Sequence, residues 1–360
     1  MTRPVFIAKS ALLCARGESP TTVANALWNG ECSAGQRKLG ERAFPYFRLP
    51  LDEADWMVRA EQAIRQVAGQ LGPLPPETSL FIASSSFQIG HFEQLGKPFD
   101  LPLAAASFSR NIAEWLCLTG TRYSFSNACI AGFSALDAAR SLIAAGLIDD
   151  AVVLGVELAN NSTLAGFAAM ELLSRTAGRP FDARRDGLVL GEAVAAVYLS
   201  AQPSTWRIAG LRTGLDGYST TGPNPDGSRV AGIAVDCLKE GDLQAADIEL
   251  IKLQAAGSPG TDLAEANALR SVFGQHMPPL ISLKPALGHT LGASGIAELA
   301  ALLACLDADK IPATAGFSKV DPEIALFPMV DRSNAHIEHA LLNLIGFGGG
   351  LACLIVERQR

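Results

Sequence analysis

Cys129–Ala145 reads CIAGFSALDAARSLIAA, and Gly292–Leu306 reads GASGIAELAALLACL. Each stretch is a helix of Ala, Gly and Ser entered through a turn that holds a reactive residue type, Cys129 in the first and His289 just ahead of the second. Small residues on nearly every face let two helices approach closely in the middle of a protein. The pair therefore suggests a duplicated α/β unit whose central helices pack together, with the halves meeting near Ala201–Trp206 (AQPSTW). Two unrelated alanine-rich core helices would read the same way. Around them, short apolar runs alternate with helical segments. Strands are predicted at Pro4–Ala8, Ser79–Ser84, Ala151–Val156, Ala193–Leu199, Ile248–Leu253, Leu280–Ser282 and Leu351–Val356, and helices at Thr21–Asn29, Asp55–Gly72, Ala131–Ala145, Asp262–Val272 and Gly295–Leu306. This alternation predicts a layered α/β architecture with mostly buried sheets.

Composition narrows the function. With 49% hydrophobic and 18% charged residues over 360 positions, a large core is available, and so sparse a charge suggests a surface partly covered by a partner subunit. A net charge of -7 without a Lys/Arg cluster argues against nucleic acid. The cysteines Cys14, Cys32, Cys117, Cys129, Cys237, Cys305 and Cys353 are scattered, odd in number and free of CxxC pairs, which reads as reduced intracellular thiols. MTRPVFIAKSALLCARG fits a buried strand better than a signal peptide. No stretch reaches the ~18 apolar residues of a membrane span. A soluble, cytoplasmic chain is expected.

Cys129 sits in SFSNACIAGFSA, a polar turn entering a helix, where the positive end of the macrodipole favours a thiolate. A buried structural cysteine is the alternative. His289 lies in SLKPALGHTLGASG between Gly288 and Gly292, with Lys284 five residues before it and Glu298 nine after. NLIGFGGGLACLIVE puts Gly346 to Gly350 ahead of a strand, so the run is no dinucleotide fingerprint. It is either a tight hairpin or a loop offering backbone N–H groups to an oxyanion. His336 and His339 are spaced for one exposed helix face. No metal site and no phosphate, zinc or flavin signature is read, so no cofactor is expected.

These segments, with GRPFDARRDGLVLGEAVAAVYL (Gly178–Leu199) and DGYSTTGPNPDG (Asp216–Gly227), resemble in order the motifs of the β-ketoacyl-acyl-carrier-protein synthases of fatty-acid and polyketide assembly. The resemblance covers essentially the whole chain. It implies the thiolase fold, a five-layered α-β-α-β-α core of two related halves, here 1–203 and 204–360, usually dimeric. It implies that Cys129 accepts an acyl chain as a thioester from the phosphopantetheine arm of acyl carrier protein. The backbone N–H groups of Cys129 and Phe347 would form the oxyanion hole, with Phe347 as gate, and Lys284 and Glu298 would be a buried pair ordering the site around His289. Asp182, Asp186, Gly191 and Glu192 read as scaffolding.

The chain also departs from the family. The pattern E-A-H-G-T-x-T-P-x-G-D is matched by QAAGSPGTDLAEANAL (Gln254–Leu269), where Asp262 and Glu265 align, Ala256 stands for the second catalytic histidine in a segment read as two residues short, and Ser258 remains of a threonine pair. Gly350 and Leu351 replace the usual residues after G-F-G-G. Loss of one such donor costs on the order of 10²–10³ in rate. Acyl transfer to Cys129 is thus expected to survive while condensation is impaired. The other reading is a non-catalytic subunit like a chain length factor, paired with a complete synthase as in aryl polyene pathways. A homodimer or a heterodimer with a second ketosynthase is expected in either case.

Overall fold

The computed structural model describes residues 3–52 and 55–359. Its main sheet has ten strands: β1 (Phe6–Cys14), β2 (Ser79–Ala83), β3 (Arg122–Phe125), β4 (Asp150–Glu157), β5 (Ala193–Ser200), β6 (Trp206–Leu215), β7 (Leu250–Lys252), β8 (Leu280–Ile281), β9 (His339–Ile345) and β10 (Gly350–Arg358). They run in the order β3-β2-β4-β5-β1-β6-β10-β9-β7-β8. The second half repeats the first in mirror order. β3, β2 and β4 are parallel neighbours, as are β8, β7 and β9. The pairs β4–β5 and β5–β1 are antiparallel, as are β9–β10 and β10–β6. The halves join at a short seam where Phe6 pairs Arg207 and Ile7 pairs Trp206.

The two small-residue stretches are the helices α3 (Ala131–Ala144) and α7 (Ser294–Asp307), apart from their turns. The labels α1 (Trp56–Leu71), α2 (Leu101–Leu116), α4 (Asn161–Ala169), α5 (Ser228–Glu240) and α6 (Pro259–Phe273) complete the set used below. α3 packs against β2 and β4 of one half and β6 and β10 of the other, and α7 lies beside it. Helices α1 and α2 cover the outer face of the first half, α5 and α6 that of the second. The result is the five-layered α-β-α-β-α thiolase-type fold. Composition explains the middle layer: a Cβ on Gly132 would stand 3.2 Å from the Ile296 backbone nitrogen, so a larger residue there would push the helices apart.

Sequence and structure differ in places. Helices α2 and α5 were not expected. α2 starts at Asp100, whose carboxylate accepts the Leu103 N–H at 2.9 Å, and serines within its apolar run blur the helical period. His336 and His339 share no helix. HALLNLI from His339 folds as strand β9, and His336 precedes it, its Nδ1 3.0 Å from Asp309 Oδ1. The glycine run serves as a turn, since β9 and β10 pair antiparallel from His339↔Glu357 to Ile345↔Leu351. Among the described residues no helix is long and apolar enough to cross a membrane.

Candidate active site

Strand β3 leaves the sheet through Ser126 and Asn127 into a 3-10 turn, Ala128–Ile130, that opens α3. Ala128 has φ 54°, a left-handed conformation costly for a side chain with Cβ. The second half repeats this device. Leu291–Ala293 is a 3-10 turn opening α7, with Leu291 at φ 49°. Turn for turn, Cys129 corresponds to Gly292.

Cys129 is 4% exposed. It lines a cavity of about 250 Å³ with Ser85, Thr163, Phe167, Met170 and Phe347. Burial pushes its thiol up to about 11, against the Phe347 backbone N–H and the Lys284 charge, which pull it down. Desolvation of the sulfur thus works against the helix-start effect that favours a thiolate. Phe347 follows β9 at the glycine turn and stacks on Phe167 of α4, ring centroids 5.2 Å apart and 16° from parallel. It also borders a second cavity of about 460 Å³ lined by Asn127, Ile130, Ser134 and Leu215, so its loop stands between the two spaces. The turn can take only glycine at one point. Gly349 has φ 77°, and a Cβ there would collide with the Asp216 carbonyl. The Asp216 N–H donates to Gly349 O at 2.7 Å, which ties the Asp216–Gly227 segment to the Phe347 loop.

His289 is 3% exposed. Burial, followed by the Lys284 charge, drives its imidazole down to about 3, so it is neutral at ordinary pH. Its Nδ1 accepts the Leu291 N–H at 3.2 Å and faces Ser294 Oγ at 3.0 Å. That places its proton on Nε2, a donor rather than a base. Lys284 and Glu298 form the expected buried ion pair. A second ammonium was not foreseen: Lys252 of β7, fully buried, lies 2.6 Å from the other Glu298 oxygen and 3.1 Å from Asn343 O. Burial lowers Lys252 to about 8. Although burial pushes Glu298 the other way, Lys252 and Lys284 hold it below the usual carboxylate range. The Lys284 charge acts on both His289 and Cys129.

The scaffold residues accept backbone hydrogen bonds. Glu192 takes the N–H of Leu49 at 2.9 Å and of Ala159 at 2.7 Å and pairs with Arg59. Asp182 takes those of Arg184 and Ser318 at 2.8 and 2.7 Å. Asp186 accepts from the Ser174 hydroxyl at 2.7 Å, and Gly191 sits against Gly288 and Phe47. Asp262 accepts from Phe181 N at 2.9 Å and Ala256 N at 3.3 Å, and burial raises its carboxyl to about 7. Ser258 caps α6 without a side-chain bond. Ala256 sits in an apolar cluster with Leu188, Leu190, Leu291 and Phe347.

Residues 61–203 match the family model of the β-ketoacyl synthase N-terminal domain and 206–318 that of the C-terminal domain. The chain is similar to 3-oxoacyl-[acyl-carrier-protein] synthase 2 of Synechocystis sp., 32% identical over 282 residues, covering 73% of this chain and 68% of that protein. The chain belongs to the β-ketoacyl synthase family. It is also 31% identical over 240 residues to 3-oxoacyl-[acyl-carrier-protein] synthase 2 of Mycobacterium tuberculosis, covering 62% of this chain but only 58% of that relative's length. The fold is shared with a ketosynthase in complex with its chain length factor from Xenorhabdus doucetiae (TM-score 0.88, 21% identity, 99% of this chain and 98% of that one).

The structure also picks out buried polar residues that sequence reading missed. Lys252 and Gln254 are polar residues in the apolar run IELIKLQAA, and a lone lysine in a buried strand was the signal available. Glu157 ends β4, is 2% exposed, and accepts from Ser85 N at 2.9 Å, from the Ser85 and Ser86 hydroxyls, and from Gly292 N at 3.1 Å. It clamps the second turn to the loop after β2. Phe167, the stacking partner of Phe347, carried no sequence signal.

Proposed function

We propose that this chain accepts an acyl group on Cys129 from the phosphopantetheine thioester of an acyl carrier protein, with 1–203 supplying the nucleophile and 204–360 supplying His289 and the Phe347 loop. The observation that carries this is the Cys129 side chain lining a cavity of about 250 Å³ beside Phe347. In the transfer, sulfur bonds to the thioester carbonyl carbon and the carbon–sulfur bond to pantetheine breaks. The Cys129 proton ends on the leaving pantetheine thiol. The backbone amides of Cys129 and Phe347 serve as an oxyanion hole. A cytoplasmic setting in fatty-acid or type II polyketide assembly fits this reading, as does a dimer.

Unassisted decarboxylative condensation is expected near background. His289 offers one N–H donor, and no second imidazole is found in the contacts of the site. The other histidines lie on the helix Ile89–Leu95, after α6 at His276, before β9 at His336 and at the start of β9 at His339. The same observation favours a second reading, a chain-length-factor-like subunit that shapes the tunnel of a complete synthase, with aryl polyene assembly as one setting.

Intact-mass measurement after incubation with acyl-loaded carrier protein separates the two. An adduct on wild type that vanishes in Cys129→Ala supports acyl transfer. No adduct, with a stable heterodimer on co-expression with a second ketosynthase, supports the subunit reading. A homodimer without an adduct defeats both.

A further inference from the structure

A thiol pushed up to about 11 keeps its proton at ordinary pH, so an attack by Cys129 needs a group that takes that proton. Neither His289 nor Lys284 is placed to do so. His289 is neutral, with Nδ1 held by the Leu291 N–H and its proton on Nε2. Lys284 has its ammonium on Glu298, and an ammonium only donates. The fold offers another group. Strands β3, β2 and β4 are parallel neighbours, so the chain leaves all of them at the same end of the sheet. β3 leads to Cys129, β2 leads to Ser84–Ser86, and β4 ends on Glu157. Ser85 and Thr163 bring hydroxyls to the wall of the Cys129 cavity. The Ser85 hydroxyl donates to Glu157 Oε2 at 2.8 Å, which connects that cavity to a carboxylate.

Glu157 has the chemistry of a base. Glu192 pairs with Arg59 and Glu298 with two lysines, whereas among the described residues Glu157 is met by hydrogen-bond donors alone. Burial pushes its carboxyl above the usual range, opposed by the serine hydroxyls and the N–H groups of Ser85 and Gly292. A carboxylate without a cation holds a proton more readily. Burial chiefly raises the Cys129 thiol, and the Glu157 charge adds to it. That repulsion vanishes once the carboxylate takes a proton, so charging the sulfur and neutralising Glu157 favour each other. We infer that Glu157, acting through the Ser85 hydroxyl, is the proton acceptor for the Cys129 thiol during acyl transfer. The inference rests on the function proposed above. The thiol proton passes to the Ser85 oxygen as the Ser85 proton passes to Glu157, and the sulfur bonds to the thioester carbonyl carbon. When the carbon–sulfur bond to pantetheine breaks, the proton returns by the same route to the leaving sulfur. Nothing is oxidised or reduced, and the relay ends as it began.

The test compares two reactions of one thiol, in the full chain with Cys32→Ser and Cys117→Ser to remove the exposed cysteines. Acylation by acyl-loaded carrier protein, followed by intact mass against time, needs the proton removed in the transfer step. Iodoacetamide consumes thiolate already present and needs no relay. Ser85→Ala cuts the relay but leaves the Ser85 N–H, the Ser86 hydroxyl and the Gly292 N–H on Glu157. Glu157→Gln keeps an acceptor oxygen for Ser85 and cannot take a proton. Each variant should slow acylation by about 10²-fold or more. Alkylation near pH 8 should be unchanged in Ser85→Ala and unchanged or faster in Glu157→Gln, where the charge that raises the thiol is gone. Acylation by Ser85→Ala within about threefold of wild type overturns the proposal. So does alkylation slowed in step with acylation, because that would show a displaced thiol. A wild type that forms no acyl adduct sinks acyl transfer and the relay together, whereas acylation that ignores Ser85 sinks the relay alone.

Discussion

The turn at Ala128–Ile130 and the turn at Leu291–Ala293 are the same structure given different work. Both follow the edge strand of their half, both begin with a non-glycine residue at positive φ, and both open a central helix. The first places a thiol at the cavity. The second places Gly292, whose missing side chain leaves room for the Ser84–Ser85 backbone, and whose N–H donates to Glu157. The helices diverge in the same way. α7 carries Glu298 with its two lysines, whereas the corresponding position on α3 is Ala135, fully buried among apolar side chains. Duplication thus supplied one geometry twice. One copy took the thiol, and the other took the buried charges and the imidazole.

The largest effect should come from the charged copy. Glu298→Ala removes the carboxylate that Lys252 and Lys284 share and should cost about 3–5 kcal/mol, read by urea denaturation. Adding Lys252→Met should restore part of that loss, and no restoration would mean that Lys252 does not share the carboxylate. Next come the turns. Gly292→Ala drives a Cβ to 2.5 Å from the Ser85 nitrogen and should destabilise by about 3 kcal/mol. Ala128→Gly relieves a positive φ in the other turn and should be neutral or stabilising by up to about 1 kcal/mol. Equal losses in both variants would break the contrast.

Two smaller effects concern the thiol. In a chain with Cys32→Ser and Cys117→Ser to remove the exposed thiols, alkylation of Cys129 by iodoacetamide should rise about tenfold per pH unit from pH 7 to beyond 9. The sign follows from a thiol raised to about 11: the thiolate is the minor form throughout that range and grows with pH. A plateau near pH 8 would show an activated cysteine instead. Smallest of all, Phe167→Ala removes the ring that holds Phe347, and should speed that alkylation by about two- to fivefold, since an offset aromatic pair contributes about 1 kcal/mol. An unchanged rate would mean that Phe347 does not gate.

The sequence alone determined the layered α/β class, the repeat of the two small-residue helices, and the family, because periodicity, residue size and motif order are carried by neighbours in the chain. It also named Cys129, His289, Lys284, Glu298 and Phe347, each marked by a local pattern. Lys252, Gln254, Glu157 and Phe167 became visible only in the tertiary structure. Each matters through a partner far away in sequence: Lys252 through Glu298, Glu157 through Gly292, and Phe167 through Phe347, with Gln254 notable for a partner it lacks. Protonation was likewise decided by the fold. A helix start favours a thiolate, but the depth at which two halves close over the sulfur sets its desolvation, and burial depth is a property of packing that no local motif encodes.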